Sequence, residues 1–177
     1  MSVLDFQTLF TLELSYVMRT LRRLGVYEAD LEDVTHEVFI AVHRSLAEYD
    51  SKRPVKPWLF GFAFRFASNY RRKLRPADEL APDDHLSDDQ PLADEALSRA
   101  DDRRLVLAAL ERIPLARRAV FVMHELDGLA IVEVARVLAI PEGTAHSRLG
   151  KARTEFSDAI SKLARKESHG RTTRTAS

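Results

Sequence analysis

The sequence predicts an all-α protein made of two small helical domains that a flexible acidic linker joins. Three observations lead to this prediction. The 177 residues include only 6 Gly and 7 Pro, which favours helices over a turn-rich β architecture. Apolar residues make up 45% of the chain and recur mostly at helical spacing. A strongly acidic block separates two basic parts of the chain.

The net charge of zero is the sum of two basic regions and one acidic region. Residues 1–76 contain 12 Lys and Arg against 9 Asp and Glu, residues 77–102 contain 1 against 10, and residues 103–177 contain 14 against 8. Basic regions attract nucleic acid. The acidic block has three prolines between Pro76 and Ala96 and few large apolar residues, which is typical of an extended linker.

Several classes of protein are disfavoured by what the sequence lacks. No stretch approaches the roughly 18 apolar residues of a membrane span, and the N-terminus shows no signal-peptide pattern, so we expect no membrane insertion. Without cysteine the chain has no disulfide and no cysteine-ligated zinc, which fits the cytoplasm. No catalytic Ser/His/Asp arrangement and no Gly-rich phosphate loop is present, so nothing indicates an enzyme or a cofactor.

The N-terminal part contains two amphipathic helices. The first ends at Gly25 and has apolar residues at helical spacing, namely Phe6, Leu9, Phe10, Leu14, Val17, Leu21 and Leu24. We expect Asp30 to cap the second helix, because Asp is a favoured capping residue. The apolar stripe of this helix is Leu31, Val34, Val38, Val42 and Leu46. Residues 49–57 then form a basic loop with two prolines.

The segment Trp58–Arg75 fits two alternatives. Its aromatic residues alternate with other residues, which is the period of a strand, but no other convincing strand is present to pair with it. At helical period the same residues form two apolar faces that lead into a basic cluster. We therefore predict a helix whose aromatic residues fill the core or, alternatively, stack on unpaired bases.

One helix carries the Asp33, His36 and Glu37 side chains close together. A metal site in a helical bundle needs two acid-x-x-His units and further carboxylates, whereas this sequence contains only one such unit. We therefore predict no metal site. The acidic side chains either face solvent or form a protein-docking patch.

The C-terminal part contains four predicted helices. They span about Asp101–Arg112, Leu115–Leu126, Ile131–Leu138 and Glu142–Lys162, with an Asp127-Gly128 turn before the third. The last residues lack apolar anchors, so we expect residues 166–177 to be disordered. The predicted domain limits are therefore 1–76 and 101–165, with a linker over 77–100.

Residues 131–153 are typical of a helix-turn-helix, with a short helix, a tight turn and a longer helix. At 100° per residue, one face of the second helix is apolar and docks on the first helix. The docking residues are Ala145, Leu149, Ala152 and Phe156 on the second helix and Val134, Ala135 and Leu138 on the first. The opposite arc holds Ser147, Gly150 and Lys151, with His146 at its edge.

This outward arc fits a groove of DNA. Small and basic side chains there can approach base edges, while Arg148 and Arg153, which flank the apolar face, can reach phosphates. The helix N-terminus adds partial positive charge. The alternative is an ordinary amphipathic helix whose basic face is solvated.

Two blocks of the chain together resemble the extracytoplasmic-function (ECF) group of the sigma-70 family, which are promoter-recognition subunits of bacterial RNA polymerase. Residues 30–73, from "DLEDVTHEVF" to "FASNYRRK", are similar to region 2 of the family. Residues 110–153, from "LERIPLARR" to "GTAHSRLGKAR", are similar to its region 4. Region 4 alone is shared with other helix-turn-helix regulators, but the two blocks in this order are specific.

The resemblance implies a role for each block. Region 2 docks on the β′ clamp helices of core polymerase, here through Asp33, His36 and Glu37. It also melts the −10 promoter element and reads it as single-stranded DNA, which here implicates Lys52, Arg53, Lys56, Trp58, Asn69, Arg71 and Arg72. Region 4 contacts the β flap and reads the −35 element as duplex, which here implicates Thr144, His146, Ser147, Arg148, Gly150, Lys151 and Arg153. The resemblance also implies an anti-sigma protein as a partner.

Four residues depart from the pattern of the family. Ala139 stands where the turn usually has glycine, which predicts a turn that is either slightly strained or differently shaped, and Ala145 replaces a branched aliphatic residue. His146 stands where Lys or Arg is common, and Gly150 has no side chain with which to read a base. These departures concern promoter specificity more than the overall role.

Promoter-specific transcription initiation is therefore the function that the sequence predicts. One alternative is a stand-alone helix-turn-helix regulator, which would need neither Asp33 nor Glu37. A helical adaptor that binds only protein would be indifferent to the loss of Lys151 and Arg153. A metal enzyme is the remaining alternative.

Overall fold

A computed structural model describes residues 5–74 and 94–174 of the chain. Within these ranges the chain forms seven α-helices and no strand, which confirms the all-α prediction. The helices are α1 (Phe6–Arg23), α2 (Leu31–Ser45), α3 (Val55–Leu74), α4 (Asp94–Glu111), α5 (Leu115–Phe121), α6 (Ile131–Val137) and α7 (Glu142–Arg174). Most of the predicted acidic linker lies outside the described residues.

The N-terminal unit is a bundle in which α1, α2 and α3 each pack on the other two. Asp5 caps α1, because its Oδ2 accepts a hydrogen bond from the Thr8 amide at 3.0 Å. Asp30 precedes α2 as predicted, but its side chain makes no capping hydrogen bond. Its Oδ2 instead accepts a hydrogen bond from Tyr70 Oη at 2.6 Å, which joins the start of α2 to α3.

The ambiguous aromatic segment is helical. Residues Val55–Leu74 form the single helix α3, and Leu59, Phe60, Ala63 and Ala67 are buried in the bundle. Pro57 is tolerated because it lies in the first turn, where a backbone N–H has no partner within the helix. The remaining aromatic rings of α3 are half-buried around this core.

The C-terminal unit differs from the predicted boundaries in three places. α4 begins at Asp94, inside the segment assigned to the linker. The helix predicted over 115–126 is α-helical to Phe121 and ends in a single π turn, Val122–Leu126. α7 continues to Arg174, through residues expected to be disordered, because extending an established helix is far less costly than nucleating one.

The helix-turn-helix consists of α6 and α7. Val134 and Ala135 on α6 and Ala145, Leu149 and Ala152 on α7 are all buried, which confirms the predicted docking face. The turn contains Ala139 at a φ of 51°, in the left-handed region. A residue with a Cβ is strained there by about 1–2 kcal/mol, in line with the strain predicted from the sequence.

The two units pack against each other. Their buried apolar residues belong to one contiguous cluster, and α1 contacts α4 while α3 contacts α6. The sequence did not predict this contact. It determines which parts of the predicted binding surfaces are open in this structure.

Candidate nucleic-acid interface

The outward arc of α7 is exposed as predicted. His146, Ser147, Gly150 and Lys151 all face solvent, directly opposite the buried Leu149 and Ala152 that hold the helix in place. Thr144 and Arg148 are half-buried at the edges of the arc. The arc therefore presents short and basic side chains on a helix whose opposite face is fixed by packing.

Two of the predicted DNA-contacting side chains on α7 already have acidic neighbours. Arg153 Nε donates to Glu125 Oε1 at 2.7 Å. His146 Nε2 lies 3.7 Å from Glu142 Oε1, an ion pair that exists only when the imidazole is protonated. Both pairs are well exposed, so each is weak and a phosphate can replace the carboxylate.

An aromatic and basic patch forms where the loop before α3 meets its first turns. The rings of Tyr49 and Trp58 lie 4.5 Å apart, and Trp58 meets Phe62 edge-on at 5.1 Å. The guanidinium of Arg65 lies 5.1 Å from the centroid of the Phe62 ring. Arg53 lines the same cleft. Stacked rings beside cations are the combination that single-stranded nucleic acid binds.

The −10 set that the resemblance implied does not include Arg65, although the sequence places Arg65 in the basic cluster beside the aromatic residues of this segment. We call the patch formed by Tyr49, Arg53, Trp58, Phe62 and Arg65 the α3 face. Lys52 and Lys56 are exposed nearby in the chain, and the Lys56 ammonium lies 5.6 Å from the centroid of the Tyr16 ring. The signal for Arg65 in the sequence was its position three residues after Phe62, which puts both on one side of a helix.

The other predicted residues of α3 lie toward its far end, about 16–21 Å along the helix axis from Trp58. There the Arg72 guanidinium donates to Asn69 Oδ1 at 3.0 Å on the surface. Arg71 is turned toward the C-terminal unit. It donates to the Gly25 carbonyl at 3.2 Å and lies 3.4 Å from Glu111 Oε1. The structure therefore does not bring Arg71 to the α3 face.

Arg118 is a buried cation in the C-terminal unit. Its side chain is 1% exposed and donates to the carbonyls of Ile113 and Glu111 at 3.2 Å and 2.8 Å. Burial, and then the nearby Arg71 cation, lower the pKa of Arg118 to about 10, although the Glu111 carboxylate opposes this shift. Arg71, Glu111 and Arg118 therefore form one charged cluster between the two units.

Asp33, His36 and Glu37 are exposed together on the outer side of α2. An apolar groove between α1 and α2 lies beside them, lined by Phe6, Phe10, Leu14, Phe39 and Ile40 and by His36 itself. The prediction from the sequence missed this groove. The sequence feature that indicates the groove is the run Val38-Phe39-Ile40. This run extends the apolar residues of α2 beyond the single face that packs in the bundle.

The described residues contain neither a metal-binding cluster nor a membrane-spanning helix. Within 5–74 and 94–174, no group of three or more His, Asp or Glu side chains is placed to hold a metal ion. In the same part of the chain, no helix is both long enough and apolar enough to cross a membrane.

Known protein families match both units. The family described as "Sigma-70 region 2" matches residues 9–77, and the family described as "Sigma-70, region 4" matches residues 103–156. The ECF RNA polymerase sigma-E factor of Escherichia coli is 26% identical over 151 residues, covering 80% of this chain and 79% of that protein. The RNA polymerase sigma factor NccH of Alcaligenes xylosoxydans is 27% identical over 144 residues, covering 76% and 75%.

Solved structures show the same fold. CnrH, solved in complex with the cytosolic domain of CnrY, aligns at a TM-score of 0.64 and 23% identity over 89% of this chain and 88% of that one. The sigma factor RpoE of Bartonella quintana, solved with the anti-sigma factor NepR, aligns at a TM-score of 0.66 and 17% identity over 89% and 97%. The two family matches together cover most of the chain, in the order that sigma factors have. The chain belongs to the sigma-70 family and, within it, to the ECF sigma factors, which direct core RNA polymerase to promoters.

Proposed function

We propose that this sigma factor reads the −35 element as duplex DNA through the outward arc of α7 and holds the −10 element as a melted strand on the α3 face. The observation that carries the proposal is the burial pattern of α7. One side of the helix packs on α5 and α6, and on the opposite side the arc of His146, Ser147, Gly150 and Lys151 presents short or basic side chains.

The α7 arc supports the duplex half of the proposal. Ser147 and Gly150 leave room for a close approach to base edges, while Lys151 supplies charge at the centre of the arc. Thr144, Arg148 and Arg153 lie where phosphates would flank the helix. His146 stands where Lys or Arg is common in the family, so the arc lacks a permanent cation at this position.

The α3 face supports the single-strand half. Trp58 offers a ring for stacking, and Lys52, Arg53 and Lys56 supply cations for the backbone of the strand. Asn69 and Arg72 extend the basic surface along α3. Arg71 joins this surface only when it leaves Glu111.

Asp33, His36 and Glu37 are the proposed docking residues for the β′ clamp helices, and region 4 is proposed to contact the β flap. The exposed acidic patch beside an apolar groove supports this assignment, because protein interfaces combine a buried apolar centre with a polar rim. The protein itself is not catalytic in this proposal: it acts in the cytoplasm, where it positions the polymerase.

We also propose an anti-sigma protein as a partner. The support is that the solved structure of the Bartonella quintana sigma factor contains such a protein. The proposed limits of the two domains remain 1–76 and 101–165, with the linker between them and a tail over 166–177.

Run-off transcription with purified core polymerase on a promoter library tests the proposed function. Polymerase with this chain should start RNA synthesis at a defined subset of promoters, whereas core alone should show no selection. Reversal of charge in Asp33→Arg/Glu37→Arg should abolish selective initiation and core binding together. Equal initiation with and without the chain would refute the proposal.

A further inference from the structure

The apolar groove between α1 and α2 is open to solvent. The two helices run antiparallel, since the rings of Phe6 near the start of α1 and His43 near the end of α2 lie 4.7 Å apart. Phe10 and Phe39 meet at 4.7 Å between ring centroids inside the groove, whose volume is about 690 Å³. Ile40 also lines it, and 42% of this residue is exposed. An open apolar groove of this kind is typical of a docking surface.

The charged residues of α2 are divided between the two ends of this groove. Glu32 and Asp33 lie in the first turn of the helix, and His43 and Arg44 lie in the last turn. All four are exposed, and within residues 5–74 and 94–174 none of them has an ion-pair partner. This order of charges suits the helix dipole. It also leaves uncompensated charges of opposite sign at the two ends of an apolar surface.

The acidic and basic residues share one side of α2. Asp33 and Arg44 are about three helical turns apart, and so are Glu32 and His43, because a turn contains 3.6 residues. Ile40 lies within about 40° of both Asp33 and Arg44 around the helix axis at 100° per residue. One side of the helix therefore runs from acidic through apolar to basic.

A second copy of the same surface, turned antiparallel, complements this side of α2. A two-fold axis that passes midway between residues 38 and 39 places Asp33 of each copy opposite Arg44 of the other, and Glu32 opposite His43. Each contact occurs twice, because a two-fold interface uses the same patch on both subunits. The same arrangement lays α2 of one copy along the groove of the other, which removes Ile40 from water.

We propose that this chain forms a weak symmetric dimer through the groove between α1 and α2, and that core polymerase and the second copy compete for this surface. Asp33 belongs to the charge pairs of the dimer, and His36 lines the groove, so the dimer covers two of the proposed docking residues. This competition rests on the proposed function, whereas the dimer itself does not. The dimer is weak because its ion pairs lie at an exposed surface and the interface is small.

Sedimentation velocity of the full chain over a range of concentrations tests the dimer. The parent should change from monomer to dimer as its concentration rises, and high salt should oppose the change. Asp33→Arg and Arg44→Asp should each weaken dimerisation at least about tenfold, because each substitution puts like charges opposite one another at both ends of the interface. Lys162→Asp is the control: it reverses a charge at an exposed position on α7 and should leave the equilibrium unchanged.

An equimolar mixture of Asp33→Arg and Arg44→Asp provides the rescue. In a mixed dimer the new arginine of one chain faces the new aspartate of the other, and at the second contact the native Arg44 faces the native Asp33. The mixture should therefore associate about as tightly as the parent. Such a rescue also establishes that both variants are folded, since a misfolded chain could not restore the interface.

Cross-linking tests whether the dimer covers the proposed docking residues. The sequence contains no cysteine, so Ile40→Cys introduces a single thiol close to the two-fold axis. A short bismaleimide should link two such chains at least about fivefold faster than two Leu126→Cys chains, because the dimer raises the local concentration of the second thiol. Leu126 is the matched control, being 37% exposed but located in the C-terminal unit. The dimer linked through residue 40 should not bind core polymerase, whereas the unlinked Ile40→Cys chain should.

Three results would overturn the proposal. One is a parent that sediments as a monomer at every concentration, which would leave the groove to a different protein. Another is a mixture of the two charge variants that associates no more than either variant alone. The third is a linked dimer that still binds core polymerase, which would contradict the competition. A dimer that the mixture rescues, in a chain that fails in run-off transcription, would instead refute the proposed function and leave the dimer standing.

Discussion

The two candidate DNA-contacting surfaces of this sigma factor differ in how accessible they are. The arc of α7 is exposed along its length, and the acidic side chains near it form only exposed pairs with Arg153 and His146. The α3 face lies beside α6, and Arg71 at the far end of α3 is bound to Glu111. One surface is ready for DNA in this structure, and the other is partly occupied by the chain itself.

In the proposed function, the exposed arc of α7 can meet duplex DNA without rearrangement. The α3 face would become fully accessible only if α6, which lines the same cleft, moved away from it. Four substitutions, in decreasing order of expected effect, test this contrast between the two surfaces.

Glu111→Gln should have the largest effect, a loss of about 3 kcal/mol in the free energy of unfolding. The reason is that Arg118, with 1% exposure, loses its nearest carboxylate while Arg71 stays close. Urea denaturation followed by circular dichroism measures the loss. Glu155→Gln is the matched control, because its partner Arg117 is 30% exposed, and it should cost less than about 1 kcal/mol. Equal losses of stability in the two variants would show that Glu111 stabilises the protein no more than the carboxylate of a more exposed ion pair does.

Lys151→Glu should weaken promoter binding by holoenzyme at least about tenfold, because it places a negative charge in the centre of the open arc. A gel-shift titration on a duplex promoter fragment measures the change. Lys162→Glu is the control: it makes the same change of charge at an exposed position three turns further along α7. Similar losses of promoter affinity in both variants would mean that the outward arc contributes no more to promoter binding than the rest of α7 does.

Tyr16→Phe should lower the free energy of unfolding by about 1.5 kcal/mol at pH 8, since it removes a hydrogen bond to the shielded Asp127 carboxylate. Burial, and then Asp127, raise the pKa of the Tyr16 phenol in the folded chain. Its contribution is therefore fully present below the ordinary tyrosine pKa of about 10 and is lost as pH rises above it.

Denaturation of the parent and Tyr16→Phe at several pH values checks this sign. The difference in stability between the two chains should be constant up to about pH 9.5 and shrink at higher pH. A difference that grows with pH would contradict the assignment of the proton to Tyr16 in the contact with Asp127.

Ala139→Gly should give the smallest effect, a gain of about 1 kcal/mol, because glycine adopts a φ of 51° without the clash of a Cβ. The change lies in the turn between α6 and α7. Thermal unfolding should show a higher midpoint, with promoter binding unchanged. A lower midpoint would mean that the entropy lost by glycine outweighs the relief of strain.

The helices and their buried faces were largely predictable, because periodicity is local information. The apolar face of α7 follows from the spacing of Ala145, Leu149 and Ala152, and the strain at Ala139 follows from an alanine at a position where glycine is usual. Helix ends were less predictable. α4 starts at Asp94, three residues after Pro91, and α7 continues past Gly170 to Arg174, although glycine is disfavoured inside a helix.

The candidate site was predictable only in part. Basic and aromatic residues that share a helical face could be identified from their spacing, since residues three or four positions apart lie together wherever the helix lies. The contacts of Asp127 with Tyr16 and Arg23, and the turning of Arg71 to Glu111 rather than to the α3 face, result from tertiary packing. These partners are 40 to 111 positions apart in the chain, and no local periodicity relates residues at such a separation.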